Sequence, residues 1–124
     1  MTKKSIPFDF IFDYLIPLDI KVKPMFGMWS IYLDDKILLI LRQRDKNLES
    51  NGIWVATNKE FHNSLRKDIP SLTSITSNLE EDTEWQLISE NDTNFEASAR
   101  KVCELILNKD IRIGRIPKPK KNKS

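Results

Sequence analysis

An α+β architecture, one antiparallel sheet layered against helices in the order α-β-β-β-α-β-β-α, is the expectation from three observations in these 124 residues. Apolar side chains recur at helical spacing in three separated stretches. Between them lie segments that alternate at period two or form short unbroken apolar blocks. Turn signals at Asp34-Asp35 and Asn51-Gly52 divide those segments.

Phe8, Ile11, Phe12 and Leu15 fall at i, i+3, i+4, i+7 and predict an opening helix of about ten residues, stopped by Pro17. The stretch from Val22 to Leu33 reads as one strand. Met25, Gly27, Trp29, Ile31 and Leu33 take one face, and Phe26, Met28, Ser30 and Tyr32 the other. Ile37 to Leu41 is apolar at every position, as expected of a central strand covered on both sides. A third strand is expected at Ile53 to Ala56. Thr57 and Glu60 have capping-box spacing ahead of a helix from Asn58 to about Lys67 that buries Phe61 and Leu65. Weaker strands around Leu72–Thr76 and Glu84–Ser89 flank an acidic turn at Glu80-Glu81-Asp82. Thr93 and Glu96 repeat the capping spacing before a final helix with Phe95, Ala99, Val102, Cys103 and Ile106 on one stripe.

With 40% hydrophobic and 31% charged residues, the composition supports one packed domain and excludes collagen-like, low-complexity and wholly disordered classes. No apolar run approaches the roughly 20 residues that span a bilayer. The N-terminus lacks a secretory apolar segment, and the single cysteine suits a reducing compartment, so a cytoplasmic protein is expected. The net charge of +2 divides into −4 over residues 1–110 and +6 over 111–124. The expected organisation is a folded domain over 1–110 and a basic C-terminal tail over 111–124, whose first half, alternating Ile111, Ile113 and Ile116 with Arg112 and Arg115, can pack an edge or lie along the sheet.

The stretch Pro17-Leu18-Asp19-Ile20-Lys21-Val22-Lys23-Pro24-Met25-Phe26-Gly27, continuing to Ile31-Tyr32-Leu33-Asp34, resembles the N-terminal domain of the TfoX/Sxy competence regulators. That family shows a short helix, a basic residue with Met-Phe-Gly, and a strand ending in a Tyr-Leu-Asp hairpin. The later strands and helices fit in order, over roughly residues 8 to 109. Met28, Ser30 and Asp35 stand where the family often has Gly. The resemblance implies a two-layer α/β domain with one antiparallel sheet, here as a stand-alone copy of unassigned, regulatory role.

Catalytic apparatus is not expected. Cys103 and His62 are the only thiol and the only imidazole, and Cys103 sits on an apolar helical stripe where a thiol is a small hydrophobe. One Cys and one His exclude the usual zinc sites. Glu80, Glu81, Asp82 and Glu84 lack the spacing and glycine of a calcium loop. The three glycines are too dispersed for a phosphate loop. No cofactor or metal is expected. A protein partner, or a second copy in a homodimer, is expected on a sheet face left free of helices, through Met28, Tyr32, Leu38 and Ile40. The alternative is sequence-independent association with nucleic acid through Arg112, Arg115, Lys118, Lys120, Lys121 and Lys123, in a tail whose plainer role is solubility. A small enzyme without a recognisable motif is the third reading.

Overall fold

The computed structural model describes residues 6–76 and 82–116. Its elements are α1 (Ile11–Tyr14), β1 (Ile20–Met25), β2 (Met28–Leu33), β3 (Lys36–Arg42), β4 (Gly52–Val55), α2 (His62–Asp68), β5 (Thr73–Thr76), β6 (Asp82–Ser89) and α3 (Phe95–Leu107). All six strands join one antiparallel sheet in the order β1-β2-β3-β4-β6-β5. The α+β expectation thus holds, with one strand more than the sequence suggested.

The extra strand comes from a hairpin inside Val22–Leu33. Phe26 and Gly27 both adopt positive φ, +50° and +80°, and form a two-residue tip, the conformation that matches the twist of paired strands. Met25 then lies opposite Met28, so the two share a face. Period-two counting straight through the tip places them on opposite faces. The Asp34-Asp35 turn forms as expected, with Asp34 at φ +56°.

α1 is shorter than expected because Phe8, at φ +58°, breaks regular helix before it. Its stripe still works: Ile11 and Leu15 are fully buried, and Phe8 and Phe12 pack against them. Neither capping box forms. A 3-10 turn at Lys59–Phe61 leads into α2, and the Lys59 amide donates to Glu84 Oε1 at 3.0 Å, a cap supplied across the sheet. The acidic turn expected at residues 80–82 lies mainly outside the described residues.

The main core lies between the helices and one sheet face. Ile31, Leu39, Leu41, Ile53, Val55 and Ile88 from the strands meet Ile11, Leu15, Leu65, Val102 and Cys103 from the helices. Residues 111–116 belong to this body rather than to a separate tail. Gly114 N–H donates to Ala56 O at 2.7 Å, and Ile37 and Arg115 exchange backbone bonds of 2.8 and 3.0 Å. Ile113 is 2% exposed within the core. The segment takes the place beside β3 that β4 vacates after Val55. Residues 117–124 lie outside the described residues.

Candidate functional site

The second sheet face carries its own apolar cluster. Ile37, Ile40 and Ala56 are buried, and Met25, Met28, Tyr32, Trp54 and Trp85 pack over them half-exposed to half-buried. No residue of α1, α2 or α3 enters this cluster. The side chains shield one another instead. Trp54 and Trp85 meet at 6.1 Å and 60° across the β4–β6 pair. Trp54 Nε1 donates to Ser50 O at 2.9 Å, fixing the indole. Lys23 Nζ sits 4.7 Å from the Tyr32 ring centre, a cation–π contact from the neighbouring strand.

Met28, Tyr32 and Ile40 therefore come together as the sequence suggested, and Leu38 does not. Leu38 is 3% exposed on the helical side. The pairing of β2 with β3 jumps from Ile31–Leu39 to Tyr32–Ile37, so Leu38 is the extra residue of a bulge. The bulge reverses the alternation, places Leu38 and Leu39 in the same core, and brings Ile37 to the second face. Met25, Trp54 and Trp85 were also outside the expected set. The Phe26-Gly27 tip moves Met25, while the Trp pair depends on β4–β6 adjacency.

Beside Tyr32 a polar concavity of about 450 Å³ is lined by Asp19, Lys21, Lys23, Asp34 and Asp35. Lys21 and Lys23 lie opposite Tyr32 and Ser30, hence on the same face. On the helical side, a groove of about 420 Å³ runs between Leu33 and Leu38 of the β2–β3 hairpin and Ile106, Ile113 and Ile116.

Of the residues of the alternative nucleic-acid reading, Arg112 and Arg115 are described, and both lie near carboxylates. Arg112 Nη2 lies 2.7 Å from Asp110 and 2.8 Å from Asp68. Those carboxylates strengthen its charged form, and Arg112 in turn holds the Asp110 carboxyl below its ordinary range. Arg115 approaches Glu84 at 4.0 Å. Lys118, Lys120, Lys121 and Lys123 lie outside the described residues.

Cys103 and His62 work apart. Cys103 Sγ faces Ile11 O in the core, and burial pushes its thiol up to about 12. His62 Nε2 lies 2.9 Å from the Glu84 carbonyl, which only accepts, so the proton sits on Nε2 and Nδ1 accepts from Gln86 Nε2 at 3.3 Å. Arg66 and Ser74 complete that network around Gln86. It satisfies a fully buried amide. Among the described residues, no group of three or more His, Cys, Asp or Glu is placed to hold a metal ion, and no helix is long and apolar enough to cross a membrane.

No protein-family model, curated protein or solved structure matches the chain.

Proposed function

We propose that this chain is a non-enzymatic, cytoplasmic binding domain of regulatory role, akin to the TfoX N-terminal domain, that engages a protein partner or a second copy through its helix-free sheet face. One observation supports this above others: among the described residues, the cluster of Met25, Met28, Tyr32, Trp54 and Trp85 draws on no helix. Aromatic and methionine side chains of this kind are enriched at the centres of interfaces. An enzymatic reading finds no support in Cys103, whose thiol is buried and protonated at neutral pH. Nucleic-acid association through the lysines of 117–124 draws less support than the sheet face because Arg112 is already engaged by Asp68 and Asp110.

Light scattering together with an apolar fluorescent dye tests the proposal. Association or dye binding that falls in Tyr32→Asp supports it. A clean monomer that binds no dye overturns it, whereas binding to added nucleic acid that is lost at high salt and on removing residues 117–124 supports the nucleic-acid alternative.

A further inference from the structure

Resting on the sheet-face reading, we infer that the occupant of that face is a second copy of this chain, packed across a two-fold axis that places Lys21 and Lys23 of each copy against Asp19 and Asp35 of the other. A two-fold interface uses one patch twice, so a charged patch suits it only if it carries both signs. The concavity beside Tyr32 does: two lysines and three aspartates line one hollow at the margin of the apolar cluster. Among the described residues, none of these five charges joins an ion pair within 4 Å of its own chain. The Lys23 ammonium lies over the Tyr32 ring. A partner of one dominant charge would meet repulsion from the two lysines or from the three aspartates, whereas a copy of the same patch can set each lysine against an aspartate.

The sheet edge argues for packing face to face. β1 is an edge strand, and Pro24, next to its last residue, lacks an N–H for a further ladder. Lys21 and Lys23 on the same strand discourage edge pairing as well. Apolar contact through Met28, Tyr32 and the Trp54–Trp85 pair supplies the centre of the interface, and the exchanged charges set its register.

The test is sedimentation of the full chain and four variants: Lys21→Glu/Lys23→Glu, Asp19→Lys/Asp35→Lys, the two combined in one chain, and Tyr32→Asp. Asp34 is left in place because its φ of +56° disfavours lysine. Each charge-reversed double variant is expected to dissociate by about tenfold relative to wild type, and an equimolar mixture of the two to form a heterodimer. The fourfold variant is expected to regain the homodimer. Circular dichroism of each variant confirms the fold. A wild-type chain that stays monomeric yet still binds apolar dye overturns the second copy and leaves the sheet-face reading standing. Self-association that Tyr32→Asp abolishes but the charge reversals leave unchanged overturns the exchange alone. Association that none of the variants alters overturns the inference and the sheet-face reading together.

Discussion

The carboxamide oxygen of Asn51 accepts a 2.7 Å hydrogen bond from the Arg42 guanidinium, inside the loop that joins β3 to β4. The same oxygen accepts from the Arg44 amide, and Asn51 Nδ2 donates to the Arg44 carbonyl, both at 2.9 Å. Arg42, 6% exposed, completes its bonding on the carbonyls of Lys46 and Asn47. Arg44, held in place, reaches the carbonyl of Phe26 at the β1–β2 tip. One asparagine thus organises a loop rich in polar residues and ties it to the neighbouring hairpin.

Asn51→Ala is expected to destabilise the chain by about 2 kcal/mol, because it removes one acceptor of a buried guanidinium and leaves the Arg44 amide and carbonyl without their side-chain partner. Urea denaturation should show a lower midpoint at unchanged slope. A midpoint equal to wild type would mean that water replaces the carboxamide freely.

Phe26 sits at φ +50° and is 84% exposed, so it bears a left-handed backbone with little packing in return. Phe26→Asn places a residue suited to that turn and is expected to stabilise by about 1 kcal/mol. The melting temperature should rise by roughly 4 °C. An unchanged or lowered value would assign the Phe26 ring a packing role.

Cys103 is expected to resist thiol reagents in the native state, with labelling that accelerates only as denaturant opens the core. Its thiol, ordinarily near 9.0, titrates at about 12 when folded. Its folded value is raised, so the stability it contributes is complete below pH 9 and declines between 9 and 12, by roughly 1.4 kcal/mol per pH unit. Cys103→Ala should flatten that part of the alkaline limb. Fast labelling at neutral pH would contradict the buried placement.

Arg112→Ala is expected to loosen the segment that closes against β3. Hydrogen exchange at the Gly114 and Arg115 amides, which bond to Ala56 and Ile37, should quicken by about tenfold while the α3 amides keep their protection. The Asp110 carboxyl is held below its ordinary 3.8 by Arg112, so this linkage stabilises above that value and fades as pH falls through the lower folded one. The stability gap between wild type and Arg112→Ala should therefore narrow in acid. A gap that is flat with pH would remove Asp110 from the account.

Much of this fold is legible in the sequence. The stripe of α3 predicted the burial of Ala99, Val102, Cys103 and Ile106 because a 3.6-residue period has one self-consistent phase. Period two is less forgiving. Across the two-residue tip at Phe26-Gly27 the partners are i and i+3, so parity flips at a place marked by an aromatic rather than a usual turn residue. In Ile37–Leu41 every side chain is apolar, leaving no contrast from which the Leu38 bulge could be seen. The Trp54–Trp85 contact needs β4 and β6 to be neighbours although α2 and β5 intervene in sequence, and local pattern carries no such information. The cap from Glu84 to Lys59 was hidden for the same reason: its two halves meet only after the sheet has formed.

The closure of Ile37 by Arg115 has a bearing on how the chain is made. Synthesis delivers β3 early and its neighbour on this side last, after every other described element has left the ribosome. Until then the first half of β3, apolar on both sides, keeps an open edge in the middle of the sheet rather than at its margin. A chain in which the segment after α3 has not yet docked therefore leaves this part of β3 unpaired, the kind of edge that invites aggregation.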